Sequence, residues 1–154
     1  MQQTLYNSSR PCCGASLRLP EACVKNVAMK TAVLVFFGGG IGAVGRWAVG
    51  LGMMRVLGAG FPYGTLAVNL VGCFVMGVLA RLLFQVAEGG HDLRIFLMTG
   101  VLGGFTTFSA FSLETANLWM RQEASAAILY VLLSVGGALA GIAGGLWLGG
   151  MLTR

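Results

Sequence analysis

The sequence GGFTTFSAFS, residues 103–112, interrupts an apolar stretch that would otherwise read as an ordinary membrane-spanning helix. It brings together two glycines, four hydroxyl side chains and three phenylalanines. Because lipid hydrocarbon offers no hydrogen-bonding partner, backbone that leaves the helix at this depth has to line a cavity or be buried in protein. The segment therefore predicts a helix broken in mid-membrane, and it is the first candidate for the functional centre of the chain.

Composition places the rest of the chain in the same environment. The 154 residues are 56% hydrophobic and only 10% charged, whereas soluble domains carry about 25% charged residues. A bilayer-spanning helix needs about 20 apolar residues, so the chain has room for about four such helices. We expect an all-α integral membrane protein.

Four apolar runs supply the predicted spans, and the third contains the interruption. They cover residues 31–51, 63–84, 94–120 and 124–148. Residues 1–28 are polar, hold two prolines and lack the apolar run of a signal peptide. They are predicted to be a disordered extension or the product of a misassigned start, with Met29 as the true initiator. Residues 29–154 are predicted to form the four-helix membrane domain.

Positive residues are almost evenly divided between the two ends of these spans. An even number of spans puts both termini on one side, where the domain holds Lys30, Arg81, Arg94 and Arg154. The opposite side holds Arg46, Arg55 and Arg121. The extension, if translated, adds further positive residues to the first side. Since positive residues set membrane orientation, the small bias predicts insertion both ways and an antiparallel homodimer with its two-fold axis in the membrane plane.

Several function classes are excluded by what the sequence lacks. His91 is the single histidine and Glu114 the single deeply placed acid. No catalytic triad, carboxylate pair or metal-ligating cluster can be assembled from them, so we predict that the chain is not an enzyme. The scattered basic residues form no patch for nucleic acid. Residues 40–45 spell GxGxxG, but no acid lies between Glu21 and Glu88 to hold a nucleotide ribose, so these glycines are interpreted as a helix-packing face.

Polar groups inside a membrane usually mark a permeation path, and those of this chain are neutral. Asn69 offers amide donors in the middle of the second span. Hydroxyl groups cluster in the interrupting segment at Thr106, Thr107, Ser109 and Ser112. With no lysine or arginine at that depth, these donors indicate a path for a small anion.

Two features of the interrupting segment allow two readings each. Phe108 and Phe111 stand three residues apart and share one face of a helix. Their positively polarised ring edges can face an anion, or the rings can simply pack in the core, which the spacing alone favours. The break exposes backbone carbonyls, which can bind a monovalent cation such as Na⁺ unless nearby hydroxyls satisfy them.

Three segments resemble the signature sequences of the CrcB/Fluc family of fluoride channels. They are GGGIGAVGRW at residues 38–47, GTLAVNLVG at residues 64–72 and GGFTTFSAFS at residues 103–112. The resemblance covers the chain from Met29 to its end. It implies a passive, fluoride-specific channel in the cell inner membrane, which exports cytoplasmic fluoride down its gradient and reduces its toxicity. It also implies a dual-topology homodimer with two antiparallel pores and a central structural Na⁺.

The resemblance assigns roles to individual residues as well. The implied fluoride pore is lined by Asn69, Phe108, Phe111, Thr107, Ser109, Tyr130 and Ser134. The implied Na⁺ ligands are the backbone carbonyls of Gly103 and Thr106 from both subunits, and Arg46 is implied near the vestibule. Two departures from the family pattern bear on the pore. Ala110 replaces a frequent threonine, and Ala138 implies that the hydroxyl track of the fourth span is either shorter or routed through Thr107 and Ser109.

Two alternatives come from other classes. A small multidrug-resistance-type, proton-coupled transporter also has four spans and dual topology, but it needs a membrane-embedded carboxylate in an early span, and none precedes Glu88 in the domain. A non-transporting membrane assembly subunit does not explain Asn69 and the hydroxyl cluster, which are costly at depth. For Glu114 the sequence leaves a helix-end or packing contact as open as a functional role.

Overall fold

The computed structural model describes residues 21–83 and 90–153, and within them the chain is helical almost throughout. Four of these helical stretches are long and apolar enough to cross a bilayer: Lys25–Leu57, Tyr63–Leu83, His91–Met120 and Ala124–Leu152. The prediction of an all-α protein with four candidate membrane spans is confirmed.

The helices follow one another with short connections. They are α1 (Glu21–Leu57), α2 (Tyr63–Leu83), α3 (His91–Arg94), a π-helical stretch (Ile95–Leu102), α4 (Gly103–Phe105), α5 (Phe108–Met120) and α6 (Ala124–Leu152). Residues 21–28 of the predicted extension thus belong to α1. Residues 1–20 lie outside the described residues, so the extension stays a prediction. The predicted end of the second span at Phe84 also lies outside them.

Local backbone chemistry explains where the helices end. Helix α1 is followed by Gly58, whose φ of 81° is favoured by glycine and whose N–H donates back to the Met54 carbonyl at 3.0 Å. Pro62 then precedes α2, where its fixed φ suits the start of a helix. Between α5 and α6, Gln122 adopts a φ of 63° and its N–H donates to the Trp119 carbonyl at 3.0 Å.

The third span changes its backbone conformation in the interrupting segment. Helix α4 ends at Phe105, and Thr106 and Thr107 are extended, with φ and ψ of −82° and 157° and of −155° and 123°. Helix α5 then begins at Phe108, with Thr107 as its N-cap. The Thr107 hydroxyl accepts from the Ala110 N–H at 3.2 Å, which satisfies one of the unpaired donors of the first helical turn.

Glycines let the helix backbones approach one another closely. A methyl group built on Gly42 would collide with the backbone of Val101, Gly104 and Phe105, and one on Gly145 would collide with α2. The prediction of a packing face is confirmed for Gly42, since small residues allow such approaches. Within the part of the chain that the structure describes, nothing lies within 4 Å of the methyl position of Gly40, so a packing role for Gly40 stays a prediction.

Large apolar side chains cover much of the outside of the bundle. On α1 alone, Phe36, Phe37, Ile41, Val44 and Trp47 are exposed. The main cluster of buried residues consists of Phe111, Leu118, Ala127 and Tyr130. An apolar exterior around a small core is the surface that a bilayer, or another membrane-embedded chain, covers favourably.

Candidate functional site

Two cavities, each with a volume of about 300 Å³, lie between the helices, one against α1, α2 and α5 and the other against α2, α5 and α6. The outer cavity opens at the α1–α2 connection, and its polar lining includes Tyr63, Thr65, Glu114, Asn117 and Arg121. The inner cavity adjoins the interrupting segment and is lined by Asn69, Cys73, Thr106, Thr107, Phe108, Phe111, Ser134, Val135, Ala138 and Leu139. None of the residues that line the inner cavity carries a charge.

Asn69 holds the extended segment through two hydrogen bonds. Its Nδ2 donates to the Thr107 carbonyl at 3.0 Å, and its Oδ1 accepts from the Thr107 N–H at 2.8 Å. One side-chain amide therefore satisfies both backbone groups of a residue that has left the helix. This anchoring contact is not predicted by the sequence. Because an amide nitrogen carries two hydrogens, Asn69 keeps a second N–H beside the inner cavity.

The same contacts change the surroundings of two backbone carbonyls. In a continuous helix the Gly103 carbonyl would accept from the Thr107 N–H, and the Thr106 carbonyl would accept from the Ala110 N–H. Here the Thr107 N–H donates to Asn69, and the Ala110 N–H donates to the Thr107 hydroxyl. Both carbonyls have thus lost the donors that a continuous α-helix would give them.

Glu114 lines the outer cavity and connects three helices. Its Oε1 accepts from the Thr65 hydroxyl of α2, and its Oε2 accepts from the Tyr130 hydroxyl of α6, both at 2.7 Å. Tyr130 is fully buried. The carboxylate therefore joins the elements that carry the two cavities, a role that the sequence does not predict. The sequence holds only a weak indication of this contact. Thr65 stands four residues before Asn69, so the Thr65 hydroxyl lies on the same face of α2 as the candidate pore amide.

Three aromatic rings pack against one another beside the inner cavity. Phe111 lies with its ring centroid 5.3 Å from that of Tyr130 and 5.3 Å from that of Phe108. The two phenylalanines differ in burial, since Phe111 is 8% exposed and Phe108 is 76% exposed. Phe108 thus presents most of its ring to the outside of a single chain, although it also lines the inner cavity.

Ser134 supplies an unsatisfied donor to the inner cavity. It is buried one helical turn after Tyr130, and its hydroxyl has no partner with hydrogen-bond geometry among the described residues. The Tyr130 hydroxyl is engaged by Glu114 instead. The Ser134 hydroxyl is therefore a buried polar group beside the inner cavity without a hydrogen bond of standard geometry among the described residues.

The remaining residues of the implied site are placed less centrally. Ser109 is exposed and lies 3.2 Å from the Thr107 hydroxyl, without lining either cavity. Arg46 is half-buried on α1 and lines neither cavity. Ala138 does line the inner cavity, which makes that end of the lining apolar. Within residues 21–83 and 90–153, no group of three histidine, cysteine or acidic side chains is placed to hold a metal.

Comparison with known proteins identifies the family. Residues 33–146 match the family described as CrcB-like protein, Camphor Resistance (CrcB). A protein of Rhizobium johnstonii named "Fluoride-specific ion channel FluC" is 52% identical over 118 residues, covering 77% of this chain and 94% of the relative. Proteins of the same name from Rhodospirillum centenum and Agrobacterium fabrum are 51% and 47% identical, each covering 75% of this chain and 94% and 93% of the relative. These matches confirm the resemblance drawn from the three segments, and the chain belongs to the CrcB family of multi-pass membrane proteins.

Proposed function

We propose that this chain is a fluoride-specific ion channel, which exports cytoplasmic fluoride passively across the cell inner membrane and so reduces its toxicity. The observation that carries the proposal is the inner cavity, which offers neutral donors and aromatic rings but no charged side chain. The names of the relatives point to the same ion. A passive channel needs a path that an ion leaves easily, and a lysine or arginine in the inner cavity would hold an anion too tightly. The charged side chains Glu114 and Arg121 line only the outer cavity.

Hydrogen-bond donors in the inner cavity replace part of the hydration shell of the ion. The donors that this cavity offers include the Ser134 hydroxyl and the second N–H of Asn69. The rings of Phe108 and Phe111 add polarised C–H edges. This set favours a small anion that accepts strong hydrogen bonds and can fit between the rings.

The hydrogen bonds of Glu114 also affect the proposed fluoride path. An anion that moves between the outer and inner cavities passes a carboxylate that accepts from Thr65 and Tyr130. Since the carboxylate and fluoride both need donors, the ion has to compete with Glu114 for these hydroxyls. The hydroxyls of Thr65 and Tyr130 would therefore donate to fluoride as it passes. Once the ion has moved on, they would donate to Glu114 again.

A structural Na⁺ fits the interrupting segment. The carbonyls of Gly103 and Thr106 have lost their helical donors, and unwound turns supply carbonyls of this kind to monovalent cations. Two carbonyls from one chain leave most of the coordination of the cation open. A second copy in the opposite orientation would supply an equal pair, so the Na⁺ would lie at the centre of an antiparallel, dual-topology homodimer. When bound, it would contribute a fixed positive charge near the path.

The exposure of Phe108 also supports the homodimer. A ring that lines the inner cavity yet is 76% exposed leaves that side of the path open in a single chain. A second copy against α5 would close it and keep lipid out of the path. The fluoride path would then be formed by residues of both copies.

A second candidate, a proton-coupled transporter, is favoured by one observation. Glu114 lines the outer cavity within the third candidate span, and carriers of this class use a membrane-embedded carboxylate to bind protons. The two candidates differ in the energy source of transport. A carrier requires a proton gradient and loses coupled transport in Glu114→Gln, whereas a passive channel needs no such gradient.

The test is ion efflux from liposomes that contain the purified protein. We expect rapid fluoride efflux, little chloride efflux and no dependence on a pH gradient. Phe111→Ile and Phe108→Ile should lower fluoride efflux by about tenfold, equivalent to about 1.4 kcal/mol, whereas Phe36→Ile on the outer face of α1 should leave it unchanged. Equal chloride efflux, or none of either ion, would refute the channel, and unchanged efflux in both cavity variants would reduce those rings to core packing.

A further inference from the structure

A third cavity of about 460 Å³ lies on the outside of the bundle, between the C-terminal turns of α2 and α6. It is lined by Arg81, Leu146, Trp147, Gly150 and Met151. We propose that this groove, here called the Arg81 groove, binds the phosphate of an anionic phospholipid through Arg81, with one acyl chain against its apolar wall. This inference requires only that the protein is embedded in a membrane and is independent of fluoride conduction.

The position of Arg81 matches the depth of lipid headgroups. Helix α2 has 21 residues, which gives a length of about 31 Å at 1.5 Å per residue. The hydrocarbon core of a bilayer is about 30 Å thick, so residues 63–83 are long enough to cross it. Counted from the start of α2 at Tyr63, Arg81 lies about 27 Å along the helix at 1.5 Å per residue, which brings it close to the far boundary of the hydrocarbon.

The glycines of α6 position the Arg81 side chain so that its guanidinium faces the groove. A methyl group built on Gly149 would lie 2.8 Å from Cβ of Arg81, and one on Gly150 would lie 3.6 Å from its Nε. The stem of Arg81 therefore lies across the two glycines of α6, and its head emerges into the groove. Because a guanidinium presents paired donors that match the oxygens of a phosphate, this placement suits a phosphodiester better than a point charge would.

The walls of the groove distinguish a lipid from a soluble anion. Leu146, Trp147 and Met151 are all exposed, Trp147 by 68% of its surface. Tryptophan favours the headgroup boundary of a bilayer, and the other two side chains offer apolar contact on the hydrocarbon side. The ion pairs identified among the described residues, Lys30–Asp92 and Arg121–Glu123, do not involve Arg81. A lipid supplies both the anion and the apolar chain that this surface needs.

Fluorescence quenching of Trp147 tests the proposal directly. The variant Trp47→Phe/Trp119→Phe keeps Trp147 as its one tryptophan, and bromine atoms on a lipid chain quench a tryptophan that they approach. The protein is placed in phosphatidylcholine vesicles that contain equal fractions of either dibrominated phosphatidylglycerol or dibrominated phosphatidylcholine. We expect phosphatidylglycerol to be enriched about fivefold at Trp147, because a basic residue at the surface contributes about 1 kcal/mol to the binding of anionic lipid.

Substitutions separate the groove from general electrostatics. Arg81→Gln should abolish the enrichment, and Gly150→Leu should also abolish it by filling the groove while the charge remains. Arg55→Gln, which removes an exposed charge from the last turn of α1, should leave it intact. Circular dichroism and the elution volume of each variant establish that it is folded and assembled as the parent is.

Four results would overturn the proposal. Equal quenching by the two lipids in the parent would mean that the groove has no preference for an anionic headgroup. Enrichment that survives Arg81→Gln would assign it to another part of the chain. Enrichment that excess inorganic phosphate abolishes would mean that the groove takes free anions rather than lipid. Weak quenching by both lipids, with Trp147 shielded, would mean that another copy covers the groove, which equally contradicts the proposal.

Discussion

Replacing Asn69 with alanine should destabilise the protein through the extended segment, apart from any effect on an ion. The substitution removes two hydrogen bonds, of 3.0 and 2.8 Å, and leaves the N–H and the carbonyl of Thr107 without the amide. Thr107 is buried, so water replaces these contacts poorly. Side-chain hydrogen bonds in membrane proteins contribute about 0.6 kcal/mol on average and about 1.7 kcal/mol at most. We therefore expect Asn69→Ala to lower the free energy of unfolding by about 1–3 kcal/mol.

The assay is reversible unfolding in mixed micelles, with helix content followed by circular dichroism as sodium dodecyl sulfate is added. The expected loss corresponds to a change of about fivefold to 150-fold in the unfolding equilibrium constant. Asn117→Ala provides a matched control, because Asn117 is an exposed asparagine on α5. It should change the free energy of unfolding by less than about 0.5 kcal/mol.

The result that refutes this reasoning is an Asn69→Ala protein as stable as the parent. If such a protein also lost fluoride efflux, Asn69 would act on the ion alone and the extended segment would be held by other contacts. An equal loss of stability in Asn117→Ala would mean that the assay reports a general cost of removing a polar side chain.

Three further predictions follow from other contacts. Gly145→Ala should lower the free energy of unfolding by about 1–3 kcal/mol, because its methyl group would collide with the backbone of α2, whereas Gly136→Ala meets nothing within 4 Å; equal stability of the two variants in micelle unfolding would contradict this. Tyr130→Phe and Thr65→Val should each cost about 0.6–1.7 kcal/mol, and their effects should deviate from additivity because both hydroxyls donate to Glu114; strict additivity in a double-mutant cycle would argue that the contacts are independent. Replacing Na⁺ with N-methylglucamine on both sides of the liposomes should reduce fluoride efflux, and restoring Na⁺ should recover it; efflux that ignores the exchange would exclude the structural cation.

The candidate spans could be predicted because each depends on a property of neighbouring residues. For the second, third and fourth spans, the ends of the apolar runs agree with the ends of the helices to within a few residues. These runs are bounded by Pro62, the charged loops and Gln122. The exception is α1. That helix begins at Glu21 rather than near residue 31, because the polar residues before the apolar run are compatible with a helix although they are not suited to lipid. Hydropathy identifies the part of a helix that can lie in lipid, but it does not reveal how far the helix continues outside the lipid.

The contacts of the candidate site depend on residues that are distant in sequence. Thr65 and Glu114 are 49 positions apart, and Tyr130 is 16 positions from Glu114. No periodicity within one helix indicates which acid will meet which hydroxyl, since that depends on how α2, α5 and α6 pack. The hydrogen bonds of Asn69 to Thr107 could not be predicted for the same reason. The sequence shows an amide in the middle of a span but does not show whether that amide faces a cavity or a backbone segment.

The π-helical stretch at Ile95–Leu102 has a consequence for how the chain tolerates changes in length. A π-helical stretch holds an additional residue in its turn, with hydrogen bonds from i to i+5. Removing one residue there would let the stretch become α-helical while both of its ends kept their places. A deletion between Gly103 and Thr107 has no such reserve, because it would pull Thr107 out of reach of Asn69. In the third span, a stretch that can lose one residue therefore lies directly beside a segment that cannot.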